Sequence, residues 1–549
     1  MPLDAFTYMF LARELDDNLA GGRIEKIAMN ASQNIMLYIH TLNGQRNLLF
    51  SMGVSPRCYI SKERIQSLPV PISFLMHLRK HIGGGIIKKV ECEQFERILK
   101  FHIISRTELG YEKEYVLIAE LMGKYSNLLL TLSDGTITEA LKHIPLSESH
   151  PIVPGIKYLT PSTINKINPL SAESDILLDY TPSEIVSMAM GLSQITAKEI
   201  QNEAKSSGIN FSKACQKLLG SKLNPQILKG NNGLVEDFTA FRYSSVDCSQ
   251  INAQSLSEAM DSYFLPKEKE KAFKNESNKL KKIVSAAMDK QKKKLGLFLN
   301  EEASAKDYEN EKKIGELITA NIFKIKNGDN MVIVTDWESG EDISIRLTEK
   351  TPVEDAQKHF TRYHKKKRTL QALQSQITDA RKNLEYLESI DASIDSAVYP
   401  EDLSDIYEEL VSYGLATSQN ERKKKKEESL PRVFQIKGFT ILIGKNNLQN
   451  DKITKQARGE DLWLHVQGIH GSHVVIKCGN TSVPQEILET AAKAAAFFSK
   501  ARLSENVPVD YTKIKYVHKP KGAAPGKVEY FSAKTIYVDP SIQDLSIDS

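Results

Sequence analysis

Residues 363–387, YHKKKRTLQALQSQITDARKNLEYL, place Tyr363, Leu370, Leu373, Ile377, Ala380, Leu384 and Leu387 alternately on the a and d positions of a heptad, with Lys, Arg, Gln and Asp between them. A repeat of that period turns one narrow apolar seam toward a partner helix. Upstream, past the run Lys267-Glu268-Lys269-Glu270-Lys271, Phe273, Leu280, Ile283 and Ala287 supply a second seam in the same chain. Two such arms predict an antiparallel coiled-coil hairpin over 263–395. Between them, a helix around Glu311–Phe323 and strands Met331–Thr335 and Ile343–Leu347 predict a small domain, at about 308–350, capping the tip. Residues 266–305 alone would reach up to ~60 Å at 1.5 Å per helical residue, so the rod reads as an arm.

On either side of the rod the pattern changes. Residues 1–175 mix strands (Met36–His40, Asn47–Ser51, Ile98–Ile104, Tyr115–Leu121, Asn127–Leu132) with helices (Phe6–Leu19, Ile72–Ile82), which predicts an α+β domain followed by a Pro-rich linker, Pro151–Pro169. From Pro182 to about Leu265 the spacing turns helical, broken at Gly191-Leu192-Ser193, and 180–262 reads as a helix-hairpin-helix domain. In one reading that glycine turn offers backbone N–H groups to a phosphate; in the other Gly191 ends one helix and Ser193 caps the next. Beyond the rod, 396–430 reads as a helical and charged linker ending in the run Glu421–Glu428, and 431–549 as a second α+β domain. The fold class is therefore multidomain α+β.

Composition narrows the function. At 549 residues the chain exceeds one core, and 26% charged with 41% hydrophobic residues excludes wholesale disorder. The net charge of +4 is unevenly spread: residues 1–180 carry 19 Lys+Arg against 19 Asp+Glu, residues 431–540 carry 16 against 9. A basic surplus at one end points to a polyanion, because clustered cations gain by releasing counterions from phosphates. Five scattered cysteines with no CxxC exclude a disulfide framework or zinc ribbon and point to free thiols in a reducing compartment. Met1–Phe10 has no basic stretch leading into an apolar run, and no 18 apolar residues stand together, so the expected location is cytoplasmic, with no membrane partner.

The densest chemistry lies in 438–540. Gly444-Lys445-Asn446-Asn447 follows an apolar strand with an amide-rich turn suited equally to RNA edges and to tight turns. Asp461-Leu462-Trp463-Leu464-His465-Val466 and Gly471-Ser472-His473-Val474-Val475-Ile476 are strand-like, and put Trp463, His465 and His473 on one face. Exposed, that trio could stack on bases; buried, it is ordinary core. Residues 511–534 hold six lysines and one acid, with Lys519 and Lys521 between tight turns, which reads as a phosphate-gripping edge. No nucleophile with base stands at catalytic spacing, and His465, His470 and His473 lack a completing carboxylate or Cys. The expectation is a protein that is not an enzyme, with no catalytic residue, metal or cofactor.

These C-terminal motifs, with Asp510-Tyr511-Thr512 and Lys519-Pro520 through Pro525-Gly526 and Val528, resemble the NFACT-R RNA-binding domain. Upstream, Glu96-Arg97, Glu120-Leu121-Met122-Gly123-Lys124, Ser126-Asn127, the Gly191 hairpin, Tyr308, Gly315-Glu316-Leu317 and Ala320-Asn321 extend the resemblance to the NFACT family along the whole chain. It implies a ribosome-associated quality control factor that binds the 50S ribosomal subunit still carrying stalled peptidyl-tRNA. Such a factor recruits alanylated tRNA(Ala) and supports mRNA-independent C-terminal alanine tailing, which marks the nascent chain for degradation. It also implies a stalk-base ribosomal protein contacted by the coiled coil and a small RNA-binding companion factor. The family's tRNA-contacting Asp-Arg pair and Glu-x-Met triplet carry over to Glu96 and Arg97, and to Glu120, Leu121 and Met122. Glu96 stands where Asp is usual, one methylene longer, while Arg97 keeps its fork of donors. In the C-terminal domain the residues assigned to RNA are Lys445, Asn446, Asn447, Asp461, Trp463, His465, Ser472, His473, Lys519 and Lys521.

Two readings compete. The family's N-terminal part resembles formamidopyrimidine-DNA glycosylases, whose nucleophile is an N-terminal proline, and Met1-Pro2 would expose Pro2; but Leu3 stands where those enzymes carry Glu, and their CxxC zinc finger is missing. The other is a surface adhesin with fibronectin as partner, as the main or a second activity, which would require display by an unconventional route.

Overall fold

The computed structural model describes residues 3–53, 55–106, 110–161, 166–417, 429–479 and 481–545; Pro2 and the run Glu421–Glu428 lie outside them. The chain is multidomain α+β and divides into two compact units, Met1–Glu270 and Lys271–Ser549. Among the described residues, no helix is long and apolar enough to cross a membrane.

The first unit begins with α1 (Ala5–Leu19), then β1 (Arg23–Met29), β2 (Asn34–Thr41), β3 (Gly44–Ser51), β4 (Arg57–Ile60), α2 (Ser73–Ile82), β5 (Ile86–Cys92), β6 (Ile98–Arg106), β7 (Glu112–Glu120), β8 (Asn127–Leu132) and β9 (Ile137–Ala140). The strands form one antiparallel sheet in the order β4-β3-β2-β1-β5-β6-β7-β8-β9. Alternation along β7 splits its side chains between two cores: Tyr115, Leu117 and Ala119 join Phe6, Phe10 and Leu15 of α1, while Val116 and Ile118 join a smaller cluster with Leu129 and Ile152. Ile152 is buried and bridges to Ile144, and Lys157 bridges to Thr136, so the described part of Pro151–Pro169 packs on the sheet rather than running free as a linker.

The sheet is followed by α3 (Pro182–Met188), α4 (Gln194–Ser207) and α5 (Phe211–Leu219). Residues expected to stay helical instead form β10 (Gln226–Lys229), β11 (Val235–Thr239) and β12 (Ser249–Asn252), a three-stranded sheet. Gly233, at φ +75°, closes the turn between β10 and β11, which a helix would not permit. Ser193 caps α4, accepting from the Thr196 N–H. The Ser193 N–H itself is donated to Asp4 Oδ2 at 2.9 Å, and Thr196 Oγ1 donates to the same oxygen at 2.6 Å. The hairpin's Ser193 N–H is thus spent on Asp4, which also caps α1 through Thr7 N.

Gly191 completes this joint. Its carbonyl accepts from Ala5 N at 2.9 Å and Phe6 N at 3.3 Å, and its φ is +63°. A Cβ here would stand 2.4 Å from the Phe95 carbonyl oxygen and 2.6 Å from Ala5 Cβ. Gly191→Ala is expected to destabilise the first unit by at least the ~1–3 kcal/mol of a non-glycine residue held at left-handed φ. Denaturant unfolding followed by proteolysis within that unit checks this, and coincident midpoints for variant and wild type would show that the joint carries no energy.

Helix α6 (Leu256–Ala305), with Pro266 inside it, spans the division between the units. In the second unit come α7 (Tyr308–Ala320), β13 (Met331–Thr335), β14 (Asp342–Arg346), α8 (Pro352–Ser396) and α9 (Pro400–Ser412). Helices α6 and α8 run antiparallel: Lys281 Nζ pairs with Asp395 Oδ1 at 2.5 Å, and further out Gln374 Nε2 reaches Glu302 Oε1 at 3.4 Å. The α8 seam buries Leu373, Ile377, Ala380 and Leu387, while α6 buries Leu280 and Val284 and packs the half-buried Phe273, Ile283 and Ala287 against the same cluster. Leu317, Ile318, Val334 and Ile345 close a separate small core between the arms.

The C-terminal domain holds β15 (Arg432–Ile436), β16 (Phe439–Ile443), α10 (Asn447–Gln456), β17 (Leu462–Val466), β18 (Val474–Lys477), α11 (Gln485–Phe497), β19 (Val507–Lys513), β20 (Val517–His518), β21 (Glu529–Tyr530) and β22 (Lys534–Val538). Its antiparallel sheet runs β15-β16-β18-β17-β19-β22. Alternation on β17 sends Leu464 and Val466 toward the alanines of α11 and turns Trp463 to the opposite face, against Leu442, Ile453 and Val475.

Candidate nucleic-acid interface

In the first unit, Glu96, Arg97 and Met122 meet at one cavity of about 730 Å³, lined also by Asp4, the hairpin residues Gly191–Ile195, Lys166 and Asp237. Strand pairing makes this meeting: Ile98 of β6 lies opposite Glu120 of β7, and the Leu121 N–H donates to the Arg97 carbonyl at 2.8 Å, so residues just beyond the two strands emerge side by side. Phe95, buried and at φ +54°, turns the chain into β6 with its ring in the core. The half-buried Arg97 guanidinium makes no hydrogen bond or ion pair among the described residues.

The triplet at the end of β7 divides. Alternation drives Leu121 into the main core, and Glu120 to the other side, fully buried, where it accepts from His150 Nε2 at 2.8 Å and Tyr158 OH at 2.9 Å. Burial raises the Glu120 carboxyl, against its two donors. Glu120 and Leu121 therefore sit behind the cavity, where they set the backbone from which Met122 emerges. Asp4, Lys166 and Asp237 were not read from the sequence as site residues; they come from separate segments, and only Asp4, as a helix cap, carried any local signal. The Asp237 carboxyl is pushed up to about 6, chiefly by burial and further by Asp4.

In the second unit the motif residues do two kinds of work. Asn446 and Asn447 are buried: Asn446 caps α10 through Gln449 N and donates to the Asp405 carbonyl at 3.0 Å, and Asn447 Nδ2 donates to Ser389 Oγ and Glu409 Oε1, both at 2.9 Å. Lys445 Nζ lies 3.5 Å from Asp405 Oδ2. The amide-rich turn thus docks the C-terminal domain against α8 and α9. Buried Asp461 accepts from Cys478 N, Gly479 N and Arg458 N, fixing two loops, and Ser472, also buried, donates its N–H to Phe498 O.

Trp463 is fully buried, which decides against its stacking on bases as an exposed ring. It nonetheless shares a face with His465 and His473, ring centroids 5.6 and 5.2 Å away. Burial depresses both imidazoles, His465 to about 4 and His473 well below its ordinary value, so both are neutral at pH 7. The lysine edge is mostly engaged: Lys513 and Lys515 pair with Glu460, Lys519 with Asp451 and Lys527 with Glu385, all on the surface, where such pairs exchange readily for phosphate. Lys521 is exposed and has no acid partner among the described residues. Nor do those residues contain a group of three His, Cys, Asp or Glu placed to hold a metal ion.

The first unit thus holds a cavity that joins Arg97, without an acid partner among the described residues, to the Gly191 hairpin, and the second holds a basic antiparallel domain. Residues 4–429 match the model of the NFACT N-terminal and middle domains, and residues 432–530 that of the NFACT protein RNA binding domain, so the chain belongs to the NFACT family. It is 35% identical over 562 residues to the Rqc2 homolog RqcH of Bacillus subtilis (strain 168), covering 97% of each chain, and 32% identical over 554 residues to that of Streptococcus suis (strain 05ZYH33), covering 98% of each. A solved structure, the N-terminal part of the fibronectin/fibrinogen-binding protein from Streptococcus suis, aligns at 30% identity and TM-score 0.43 over 48% of this chain and 99% of that one.

Proposed function

We propose that this protein is a ribosome-associated quality control factor that binds 50S subunits carrying stalled peptidyl-tRNA and recruits alanyl-tRNA for mRNA-independent alanine tailing. The observation that carries the reading is the Arg97 guanidinium, without an acid partner among the described residues, at a cavity shared with Glu96 and Met122. Similarity to RqcH proteins over nearly the full length supports it. In this reading Arg97 donates to a tRNA phosphate or base edge, Met122 packs beside it, and Glu120 and Leu121 hold the loop. The antiparallel rod reaches the stalk base, and a small RNA-binding companion joins the complex. The peptide bond is made in the ribosome's peptidyl-transferase centre, so the factor contributes proximity rather than acid or base groups and works in the cytoplasm.

Sedimentation of the full chain with purified 50S–peptidyl-tRNA complexes, followed by a tailing assay with alanyl-tRNA, tests this; co-sedimentation with tailing is expected, and neither would reject it. The names of the solved relatives motivate fibronectin binding as a second reading. Cell fractionation separates the two: release with 50S particles supports the first, and protein found solely at the surface supports the second.

The Asp237 carboxyl adds a pH dependence. Titrating at about 6, it is mostly neutral at pH 5 and ionised at pH 7, where its charge opposes phosphate in the cavity. Wild-type affinity for tRNA is expected to fall about threefold more between pH 5 and 7 than that of Asp237→Asn, the scale of one partly screened charge. Parallel pH profiles in filter binding would remove Asp237 from the interface. Because the folded pKa is raised, the group's stabilising contribution is fully present below the unfolded value of about 4 and is lost as pH rises through about 6.

A further inference from the structure

Glu120 is the last residue of β7, where a carboxyl group would ordinarily turn to water; instead it is fully buried, and its hydrogen bonds all fall on one oxygen. Oε1 accepts from His150 Nε2 and Tyr158 OH, whereas Oε2 has no hydrogen-bond partner among the described residues. A buried carboxyl held at a single oxygen depends on each of its donors, because losing either leaves it still less compensated. Neither donor comes from the sheet. Both belong to the chain after β9, which folds back on it: Tyr158 N donates to Gly135 O at 2.8 Å, Ile144 bridges to Ile152, and the two rings meet edge to face, 6.0 Å between centroids and 78° between planes. Burial, and after it the charge of Glu120, raises the Tyr158 phenol, so this hydroxyl keeps its proton and donates it to the carboxyl.

The same segment fastens the rest of the turn between β7 and β8. Asn127 Nδ2 donates to Lys142 O at 2.7 Å, Lys142 N donates back to Asn127 Oδ1 at 3.0 Å, and Lys142 Nζ donates to Ser126 O at 2.9 Å. Met122, within the turn, packs with Tyr158 against the small core of Val116, Ile118 and Ile152. Glu120 and Asn127 are paired across the base of the turn, and Arg97 hangs from the same point through the Ile98–Glu120 pairing and the Leu121 N–H on its carbonyl. Movement of Glu120 therefore displaces Met122 and Arg97 together.

We propose that His150 and Tyr158 are positioning residues for tRNA: by clamping Glu120 they fix Arg97 and Met122 at the cavity, a role that rests on the tRNA-recruitment reading above. Neither lines the cavity, and both act through Glu120. Without the clamp the turn must be ordered by the tRNA itself, which weakens capture but leaves the captured tRNA as reactive as before.

Tailing measured against alanyl-tRNA concentration with the full chain separates this role from plain stability. Tyr158→Phe keeps the ring and removes one hydroxyl, and His150→Ala removes the other donor. Each is expected to raise the half-saturating alanyl-tRNA concentration about tenfold, with the saturated tailing rate and 50S co-sedimentation at the wild-type level. His150→Gln, whose amide donates at a similar reach, should recover most of the loss. Unchanged half-saturation in either variant overturns the proposal. So does a lower saturated rate at unchanged half-saturation, which is what a smaller folded fraction gives, and so does His150→Gln performing no better than His150→Ala. Arg97→Ala run alongside keeps the two ideas apart. If it loses tailing while the clamp variants match wild type, the clamp alone falls; if it tails as wild type does, or the wild type does not tail, the recruitment reading falls and the clamp with it.

Discussion

Arg97→Ala is expected to abolish alanine tailing while leaving co-sedimentation with 50S subunits intact. The guanidinium has no acid partner to lose among the described residues, and the backbone at this point is held by the pairing of Ile98 with Glu120 and by the Leu121–Arg97 hydrogen bond, so the side chain can go without unravelling the sheet. What disappears is a charge-assisted fork, about 1.5–3 kcal/mol per hydrogen bond to a charged group, or roughly 10- to 100-fold in tRNA affinity. Arg97→Lys, which keeps the charge without the fork, should recover only part of it. The reading assigns subunit contact to the rod, which this substitution leaves untouched. Wild-type tailing by Arg97→Ala would remove the residue from the tRNA interface; joint loss of tailing and subunit binding would move the ribosome contact to this end.

The second large effect is structural. Asn447→Asp is expected to destabilise the second unit by about 3 kcal/mol or more, from two lost hydrogen bonds and a new carboxylate beside a buried one. Glu409 is fully buried and takes hydrogen bonds from Tyr386 OH at 2.7 Å, Asn447 Nδ2 at 2.9 Å and Asn447 N at 3.2 Å. Burial already raises its carboxyl. The side chain cannot turn away, because Gly526 is packed so closely that a Cβ there would stand 2.4 Å from Asn447 Oδ1. Protonation would relieve the repulsion, so the deficit should shrink at low pH. Denaturant unfolding at pH 5 and pH 8 measures both effects, and equal stability at pH 8 would show that the amide run does not dock the domain.

That docking role marks where sequence reading stopped. Periodicity identified the rod, because Leu373, Ile377 and Ala380 recur at a spacing that only a helix seam explains, and short apolar β-type runs located β2, β3, β6, β7 and β8. The strands at 226–252 were missed because each is four or five residues of mixed polarity, too short for a period of two to show. The amides at 446–447 look the same in sequence whether they face RNA or a neighbouring helix; only Glu409, far away in the chain, decides. For Trp463, the face it shares with His465 was readable, and its burial was not, since that depends on the segment ending in Tyr530 folding over it. In the first unit Arg97 and Met122 came from motifs, whereas Asp4 and Asp237 joined them only through the fold.

Sequencing the RNA that copurifies with the full-length protein tests the central claim most directly. Enrichment of a single tRNA species together with large-subunit ribosomal RNA is the predicted result; recovery of neither above a mock purification, or of large-subunit RNA with tRNAs in their cellular proportions, would contradict it.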